Sequence, residues 1–165
     1  MIHIYHGNGK GKTTAVTGLA VRAVGADMRV LFMQFLKNGS SSEIKILEKI
    51  KNIDVYCCDE CNKFTYAMND EERQKVTARH NEMLGYAVSS QYDMIILDEF
   101  LDAYNKNMLD REKAEKLVLE SSAEIVLTGR NPSEIFLANA EYISEIKSVK
   151  HPYEKGISAR KGIEY

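Results

Sequence analysis

Short apolar stretches alternate with stretches of helical periodicity along most of the chain. The apolar stretches predict six strands, at residues 2–5, 29–35, 54–58, 92–97, 123–127 and 142–149. Helical spacing of apolar residues predicts helices at residues 13–24, 43–51, 69–89 and 111–120, and a short helix whose first turn contains Pro132. This alternation is typical of an α/β protein with a mostly parallel central sheet of about six strands.

Helix-end signals support these boundaries. Gly25 follows the first helix as a stop, Asn69 and Glu72 have the spacing of a capping box, and Asp110 is placed to cap the helix that follows it. We expect loops at residues 38–42, irregular structure at 61–68 and a loop-like tail at 150–165.

A glycine-rich segment lies between the first strand and the first helix. Strand, glycine-rich turn and helix are the context of a phosphate-binding P-loop, although His6 stands where that motif has its opening glycine. We expect phosphate contacts from Gly7, Asn8, Gly9, Lys10, Gly11, Lys12, Thr13 and Thr14. The alternatives are a glycine-rich turn with incidental lysines, and a dinucleotide fingerprint whose glycine spacing is not met.

Within this loop, the side chains suit a polyphosphate. Lys10 and Lys12 supply positive charge along a phosphate chain, and the Thr13 hydroxyl is suited to Mg²⁺. Two carboxylates, Asp98 and Glu99, end the fourth predicted strand, where P-loop folds carry the group that reaches Mg²⁺. The alternative is that Asp98 caps the following helix and Glu99 is solvated.

Composition narrows the class of protein. The 165 residues, 44% hydrophobic and 28% charged, predict one globular domain over residues 1–165. A net charge of −2 gives no electrostatic reason to expect a nucleic-acid partner, and no apolar run approaches the roughly 18 residues of a membrane span. Three cysteines and no cationic, apolar leader lead us to expect a cytoplasmic protein.

Further segments resemble a known family in order along nearly the whole chain. These are the loop at residues 7–14, then Arg22-Ala23-Val24-Gly25, Gln34-Phe35-Leu36-Lys37, Leu97-Asp98-Glu99, Thr128-Gly129-Arg130, Val149-Lys150-His151-Pro152-Tyr153, Gly156-Ile157 and Gly162-Ile163-Glu164-Tyr165. Together they resemble the P-loop type of corrinoid adenosyltransferase, which acts on cob(I)alamin or cob(I)yrinic acid a,c-diamide.

The resemblance implies a RecA-like three-layer P-loop fold and a particular reaction. A Co(I) corrinoid attacks the 5′ carbon of ATP, and triphosphate leaves, in the synthesis or salvage of adenosylcobalamin. It also implies Mg²⁺ as cofactor, ATP reversed in the loop, a homodimer, and a reductase that supplies electrons.

The resemblance also implies roles for individual residues. Lys12 and Glu99 would be catalytic, Thr13 and Glu99 would bind the metal ion, and Asn8 and Arg22 would assist the nucleotide. Phe64 and Tyr66 would close the lower face of the corrinoid.

This sequence departs from the family pattern in three places, and one of them is His6, where relatives often have threonine. Tyr66 replaces a tryptophan, so an apolar ring gains a polar end, and Phe64 and Tyr66 could instead be ordinary aromatics. We also expect the chain to lack the N-terminal extension of longer members, which is implied to help cover the active site.

Cys57, Cys58 and Cys61 are interpreted as free thiols rather than metal ligands, because a second pair of ligands at zinc spacing is missing from the sequence. Two rival functions stay open. One is a P-loop ATPase or kinase in which Glu99 positions a water molecule, and the other is a module that binds ATP or a corrinoid without turnover.

Overall fold

The computed structural model describes residues 1–164, which contain one six-stranded, entirely parallel sheet. The strands are β1 (Ile2–His6), β2 (Val30–Gln34), β3 (Ile53–Cys57), β4 (Met94–Asp98), β5 (Glu124–Gly129) and β6 (Tyr142–Glu145). Their order across the sheet is β3-β2-β4-β5-β1-β6, so β5 lies between β1 and β4. The predicted α/β class and number of strands are confirmed.

Six helices of the described residues cover the two faces of the sheet. They are α1 (Lys12–Val24), α2 (Ile44–Leu47), α3 (Asp70–Ser89), α4 (Phe100–Asn105), α5 (Arg111–Glu120) and α6 (Glu134–Leu137). Helices α1 and α2 share one apolar cluster with alternate residues of β2, such as Val30 and Phe32. Helices α3 to α6 share a second cluster with Leu31 and Met33, which point to the opposite face. The result is the predicted three-layer arrangement.

The predicted helix caps are confirmed. The Asn69 side chain accepts a hydrogen bond from the backbone of Glu72 at 2.8 Å, and the Glu72 carboxylate accepts one from the backbone of Asn69 at 3.0 Å. Asp110 likewise caps α5 through the backbone N–H of Lys113 at 3.1 Å, and Gly25 ends α1. These signals work because each satisfies backbone groups that a helix end leaves unpaired.

Two predicted elements are shorter than expected. The helix predicted at 43–51 is α-helical only over Ile44–Leu47, after which Lys49 and Ile50 donate to the carbonyls three residues earlier in tighter turns. The strand predicted at 142–149 ends at Glu145, because Ile146 and Lys147 leave the sheet edge and cross the glycine-rich loop.

Other predictions were wrong in detail or incomplete. Pro132 lies outside the first turn of α6 and precedes its N-cap residue, Ser133. Helix α4 was not predicted, because its six residues are too short for a periodic signal. The irregular segment and the tail each contain a single 3₁₀ turn, at Thr65–Ala67 and Pro152–Lys155, and Tyr165 of the predicted tail lies outside the described residues.

The sheet register brings polar residues together at its carboxyl edge. Gln34 of β2 lies beside Asp98 of β4, and Leu97 lies beside Leu127 of β5, so Asp98 and Thr128 are neighbours as well. Parallel strands end at a common edge, which is where α/β proteins bind ligands. Within residues 1–164, none of the helices combines the length and apolarity that a membrane crossing requires.

The segment that follows β6 packs against the glycine-rich loop and forms backbone hydrogen bonds with it. The N–H of Gly9 donates to the carbonyl of Ile146 at 2.8 Å, and the N–H of Ile146 donates to the carbonyl of His6 at 2.7 Å. A Cβ atom at Gly9 would lie 2.7 Å from the carbonyl carbon of Lys147. This close approach of two backbones requires glycine at position 9.

We therefore expect Gly9→Ala to destabilise the protein by about 1–3 kcal/mol, because one of the two backbones must move. The control is Gly18→Ala in the interior of α1, where an added Cβ meets nothing within 4 Å and removes the flexibility of glycine. It should be neutral or stabilising by up to about 1 kcal/mol. Thermal denaturation of both variants measures the difference, and equal melting temperatures would contradict this role of Gly9.

Candidate active site

The phosphate loop joins β1 to α1 and ends in an open helix start. Gly11, the residue before α1, has a left-handed backbone with φ of +119°, and an added Cβ there would meet nothing within 4 Å. The first-turn amides of a helix have no intrahelical acceptor, and the helix dipole adds positive potential. The start of α1 is therefore a suitable place for an anion.

The first three residues of the loop make hydrogen bonds to other segments of the protein. The amides of Gly7 and Gly9 are used inside the protein, where Gly7 donates to the carbonyl of Gly129 at 3.3 Å and Gly9 to that of Ile146. The Asn8 side chain accepts a hydrogen bond from the backbone of Ser148 at 3.0 Å. In this structure, therefore, these three predicted phosphate-contact residues fix the shape of the loop.

Lys12 lies at the helix start with its ammonium folded onto the loop. Its Nζ donates to the carbonyl of Gly9 at 2.9 Å. Burial lowers the pKa of Lys12 and nearby Arg130 lowers it further, while Glu99 opposes both effects. A lysine that is partly desolvated and bonded only to a carbonyl is available to pair with an anion.

Asp98 is the centre of the site. Its carboxylate is fully buried and accepts hydrogen bonds from four side chains, which belong to the ends of β2 and β5, the loop after β2 and the start of α1. The donors are Thr13 (3.0 and 3.2 Å), Gln34 (3.1 Å), Lys37 (2.8 Å) and Thr128 (2.6 Å). This network satisfies a charge whose burial would otherwise be costly.

Glu99 follows Asp98 in a left-handed conformation with φ of +59°, at the start of α4. Its N–H donates to the Thr128 hydroxyl at 2.9 Å, and its carboxylate lies 3.7 Å from the Lys37 ammonium. Burial raises the pKa of Glu99, and Lys37 partly offsets that rise. A non-glycine residue with positive φ costs of order 1–3 kcal/mol and is concentrated at functional sites.

The oxygen atoms at this edge fit a magnesium ion. The Thr13 hydroxyl contacts both carboxylate oxygens of Asp98, and hydroxyl and carboxylate oxygens are ligands that Mg²⁺ prefers. The sequence predicted Thr13 and Glu99 as the metal ligands. That pair of ligands stays a prediction. The structure places Asp98 against Thr13, and the residue that precedes α4 is Glu99, so the alternative of Asp98 as a helix cap is wrong.

The course of the chain after β2 directs Lys37 toward Asp98. Leu36 has a left-handed backbone with φ of +54°, and its N–H donates to Nε2 of His80 on α3 at 3.1 Å. The carbonyl of Lys37 accepts from the backbone of Cys58 at 3.1 Å. His80 is fully buried, and burial lowers its pKa to about 4, so the ring is neutral and Nε2 can accept.

A cleft of about 680 Å³ opens beside the phosphate loop. Its lining includes Lys10 and Thr14 of the loop and α1, Lys37, and Phe64 from the segment before α3. The ring of Phe64 stacks on that of Tyr66 with centroids 5.6 Å apart and planes 5° apart. Both rings are exposed, at 74% and 86%, which is unusual for a large aromatic pair without a partner.

The remaining predicted residues lie apart. Arg22 is exposed in the last turn of α1, about 15 Å along the helix from Lys12 at 1.5 Å per residue, so the structure does not bring it to the loop. Cys57, Cys58 and Cys61 carry free thiols, and burial raises the pKa of Cys57 to about 11. Among residues 1–164, side chains do not gather into a metal-binding group of histidine, cysteine and carboxylates.

Sequence reasoning named Asp98 with Glu99 as a candidate metal-binding carboxylate, but it did not select Gln34, Lys37 or Thr128 as site residues. A signal was present for Gln34 and Thr128, since each lies at the carboxyl end of a strand. In a parallel sheet those ends converge on the ligand.

A phosphate loop between β1 and α1, facing a buried aspartate at the end of β4, defines the class of P-loop nucleotide-binding proteins. The family model for "ATP:corrinoid adenosyltransferase BtuR/CobO/CobP" matches residues 1–165. The chain belongs to the ATP:corrinoid adenosyltransferase family.

Curated relatives agree with this family. The chain is similar to a corrinoid adenosyltransferase of Escherichia coli strain K12, with 30% identity over all of this chain and 85% of the relative. It is also similar to a corrinoid adenosyltransferase of Pseudomonas aeruginosa, with 28% identity over 98% of this chain and 82% of the relative. The corrinoid adenosyltransferase CobA of Salmonella typhimurium is 28% identical over all of this chain and 85% of its own length.

The buried His80 makes stability depend on pH. Its folded pKa of about 4 lies below the ordinary 6.5, so the unfolded chain binds more protons between these values and stability falls as the pH falls through that window. From pH 7 to 5 we expect this group to remove about 2 kcal/mol of unfolding free energy. Denaturant unfolding at both pH values measures the loss.

The matched control is His80→Gln, which keeps an acceptor for Leu36 but does not titrate. It should lose about 2 kcal/mol less than the natural protein over the same pH change. His80→Leu leaves the Leu36 N–H without its acceptor and should be less stable at pH 7 by about 1–3 kcal/mol. Identical pH slopes for the natural protein and His80→Gln would contradict a neutral, buried His80.

Proposed function

We propose that this protein transfers the 5′-deoxyadenosyl group of ATP to the Co(I) centre of a corrinoid and releases triphosphate. In this reaction the cobalt electron pair forms the Co–C5′ bond while the C5′–O bond breaks, and the electrons of that bond leave with the triphosphate. The observation that carries the proposal is the shared cleft, which joins the phosphate loop to the exposed ring of Phe64.

The residues of the loop suit the departing triphosphate. Lys10 and Lys12 flank Gly11 at the start of α1, and the first-turn amides of α1 are further donors. Positively charged and N–H donors aimed at a developing negative charge lower the barrier for its departure. A magnesium ion, when bound, would neutralise further phosphate charge, and Thr13 with Asp98 would hold it while Glu99 stays close by.

The aromatic pair suits a flat, apolar ring system. Phe64 lines the cleft, Tyr66 stacks on Phe64, and both rings are exposed. Burying these rings against a macrocycle would remove apolar surface from water. This supports Phe64 and Tyr66 as corrinoid contacts, with the Tyr66 hydroxyl as a polar edge.

The accompanying expectations belong to the same proposal. We propose that residues 1–165 act as one domain, that the protein works in the cytoplasm as a homodimer, and that a reductase supplies the electrons for Co(I). The free thiols of the three cysteines are compatible with a reducing compartment. The corrinoid that reacts fastest identifies the preferred substrate.

The test is an anaerobic incubation with ATP, Mg²⁺ and chemically reduced cobalamin, in which both products are measured. We expect triphosphate and a light-sensitive Co–C product in equal amounts, and Lys12→Ala should lower kcat/KM about 100-fold or more. Lys49→Ala, on the exposed surface beyond α2, is the control. ADP and phosphate without a Co–C product would support an ATPase or kinase, and binding without any product would support a module without turnover.

The same assay tests the aromatic pair separately from the phosphate loop. Phe64→Ala should raise the KM for the corrinoid about three- to tenfold while leaving the KM for ATP unchanged, since only the stacking contact is lost. Leu119→Ala removes an exposed apolar side chain from α5 and should change neither constant. A rise in the ATP constant instead would place Phe64 against the nucleotide.

A further inference from the structure

Lys37 is the ammonium that neutralises the buried acidic edge of the site. Its Nζ lies 2.8 Å from Oδ2 of Asp98, 3.1 Å from the Thr13 hydroxyl and 3.7 Å from Oε1 of Glu99. Within residues 1–164, no other ammonium or guanidinium group lies within 4 Å of either carboxylate. Lys12, the lysine of the phosphate loop, points its ammonium at the carbonyl of Gly9 instead.

The Lys37 ammonium lies against the same oxygen atoms that would hold a magnesium ion. Thr13 and Asp98 are the ligands that the site offers, and Lys37 contacts both of them. An ammonium and a divalent cation that contact the same oxygen atoms repel each other. Binding of a metal ion to Thr13 and Asp98 therefore disfavours the present position of the Lys37 ammonium.

Lys37 is able to leave without disrupting the fold. Its backbone is fixed by the left-handed Leu36, by His80 and by the amide of Cys58, whereas its side chain is 27% exposed and lines the cleft. The four-carbon stem of lysine is flexible and carries a compact charge. Burial alone would lower the pKa of Lys37, but Asp98 and Glu99 outweigh it and raise the pKa, so the side chain stays charged.

We propose that Lys37 is an exchangeable counter-cation, which neutralises Asp98 and Glu99 in the empty site and moves its ammonium onto the polyphosphate when nucleotide and metal ion are bound. The inference rests on the proposed function, because it requires a polyphosphate in the cleft. Lys37 would then have two successive partners, first the carboxylates and then the polyphosphate. The charge of Asp98 and Glu99 would be balanced in both states, first by Lys37 and then by the metal ion.

The test uses Lys37→Met, which keeps an unbranched stem as far as the Cε atom and removes the ammonium group. Mn²⁺ replaces Mg²⁺ as a paramagnetic probe, and electron paramagnetic resonance measures its binding to the nucleotide-free protein. Calorimetry then measures the binding of tripolyphosphate with saturating Mg²⁺. We expect Lys37→Met to bind Mn²⁺ about tenfold more tightly and tripolyphosphate about tenfold more weakly, because it loses a competitor in the first case and a charged donor in the second.

Two further variants keep this test decisive. Lys49 does not line the cleft, so the control Lys49→Met should leave the affinities for Mn²⁺ and for tripolyphosphate unchanged. Lys37→Arg keeps the ion pair, so it is informative even if the neutral variant fails to fold. A bidentate guanidinium holds a carboxylate more firmly than an ammonium does, so this variant should bind Mn²⁺ more weakly than the natural protein.

The outcomes separate this inference from the proposed function. If the natural protein binds Mn²⁺ and tripolyphosphate but the Lys37 variants do not shift the two affinities in these directions, the counter-cation role is overturned and the proposed function stands. A lysine with a merely structural role would weaken both affinities together. If the natural protein binds neither probe, the phosphate site itself is wrong and both proposals fall.

Discussion

The buried carboxylate of Asp98 is the constraint on which the rest of the site depends. A charge removed from water must be matched by donors, and here Thr13, Gln34, Lys37 and Thr128 supply them. These donors come from the start of α1, the ends of β2 and β5, and the loop after β2. Satisfying one carboxylate therefore fixes the relative positions of the phosphate loop, the sheet edge and Lys37. Because a half-satisfied network would be costly, these parts are positioned together.

Two features of the backbone also fix the geometry of the site. The left-handed residues Leu36 and Glu99 turn the chain sharply after β2 and β4, and each of their amides is held by a side chain, His80 and Thr128 respectively. On the other side of the loop, the segment after β6 packs against Gly9 at backbone contact distance. The loop is thus held on both sides while the first turn of α1 stays open to the cleft. A rigid cradle beside an exposed aromatic pair is suited to holding a triphosphate while chemistry occurs at the far end of the nucleotide.

Much of the fold could be predicted because buried parallel strands have continuous apolar sequences and helix caps have local signals. The parts that could not be predicted depend on residues distant in sequence. Glycine at position 9 suggested contact with phosphate, but the backbone it meets belongs to residues 146–147. Likewise Asp98 and Glu99 are adjacent carboxylates, and only the register with Gln34 decides which is buried. The direction of the Lys37 side chain depends on a hydrogen bond from Leu36 to His80, 44 residues further along the chain.

Amide hydrogen–deuterium exchange of Asp98→Asn tests most directly whether this one carboxylate organises the site. The variant keeps the shape of the side chain but turns one acceptor oxygen into a donor, which faces donors that it cannot bond. The predicted result is faster exchange in peptides that cover residues 10–14 and 35–37, and unchanged exchange in α5. Asp93→Asn, just before the opposite end of β4, is the control and should leave both site segments as protected as in the natural protein. Equal protection of those segments in Asp98→Asn and the natural protein would contradict the central role of Asp98.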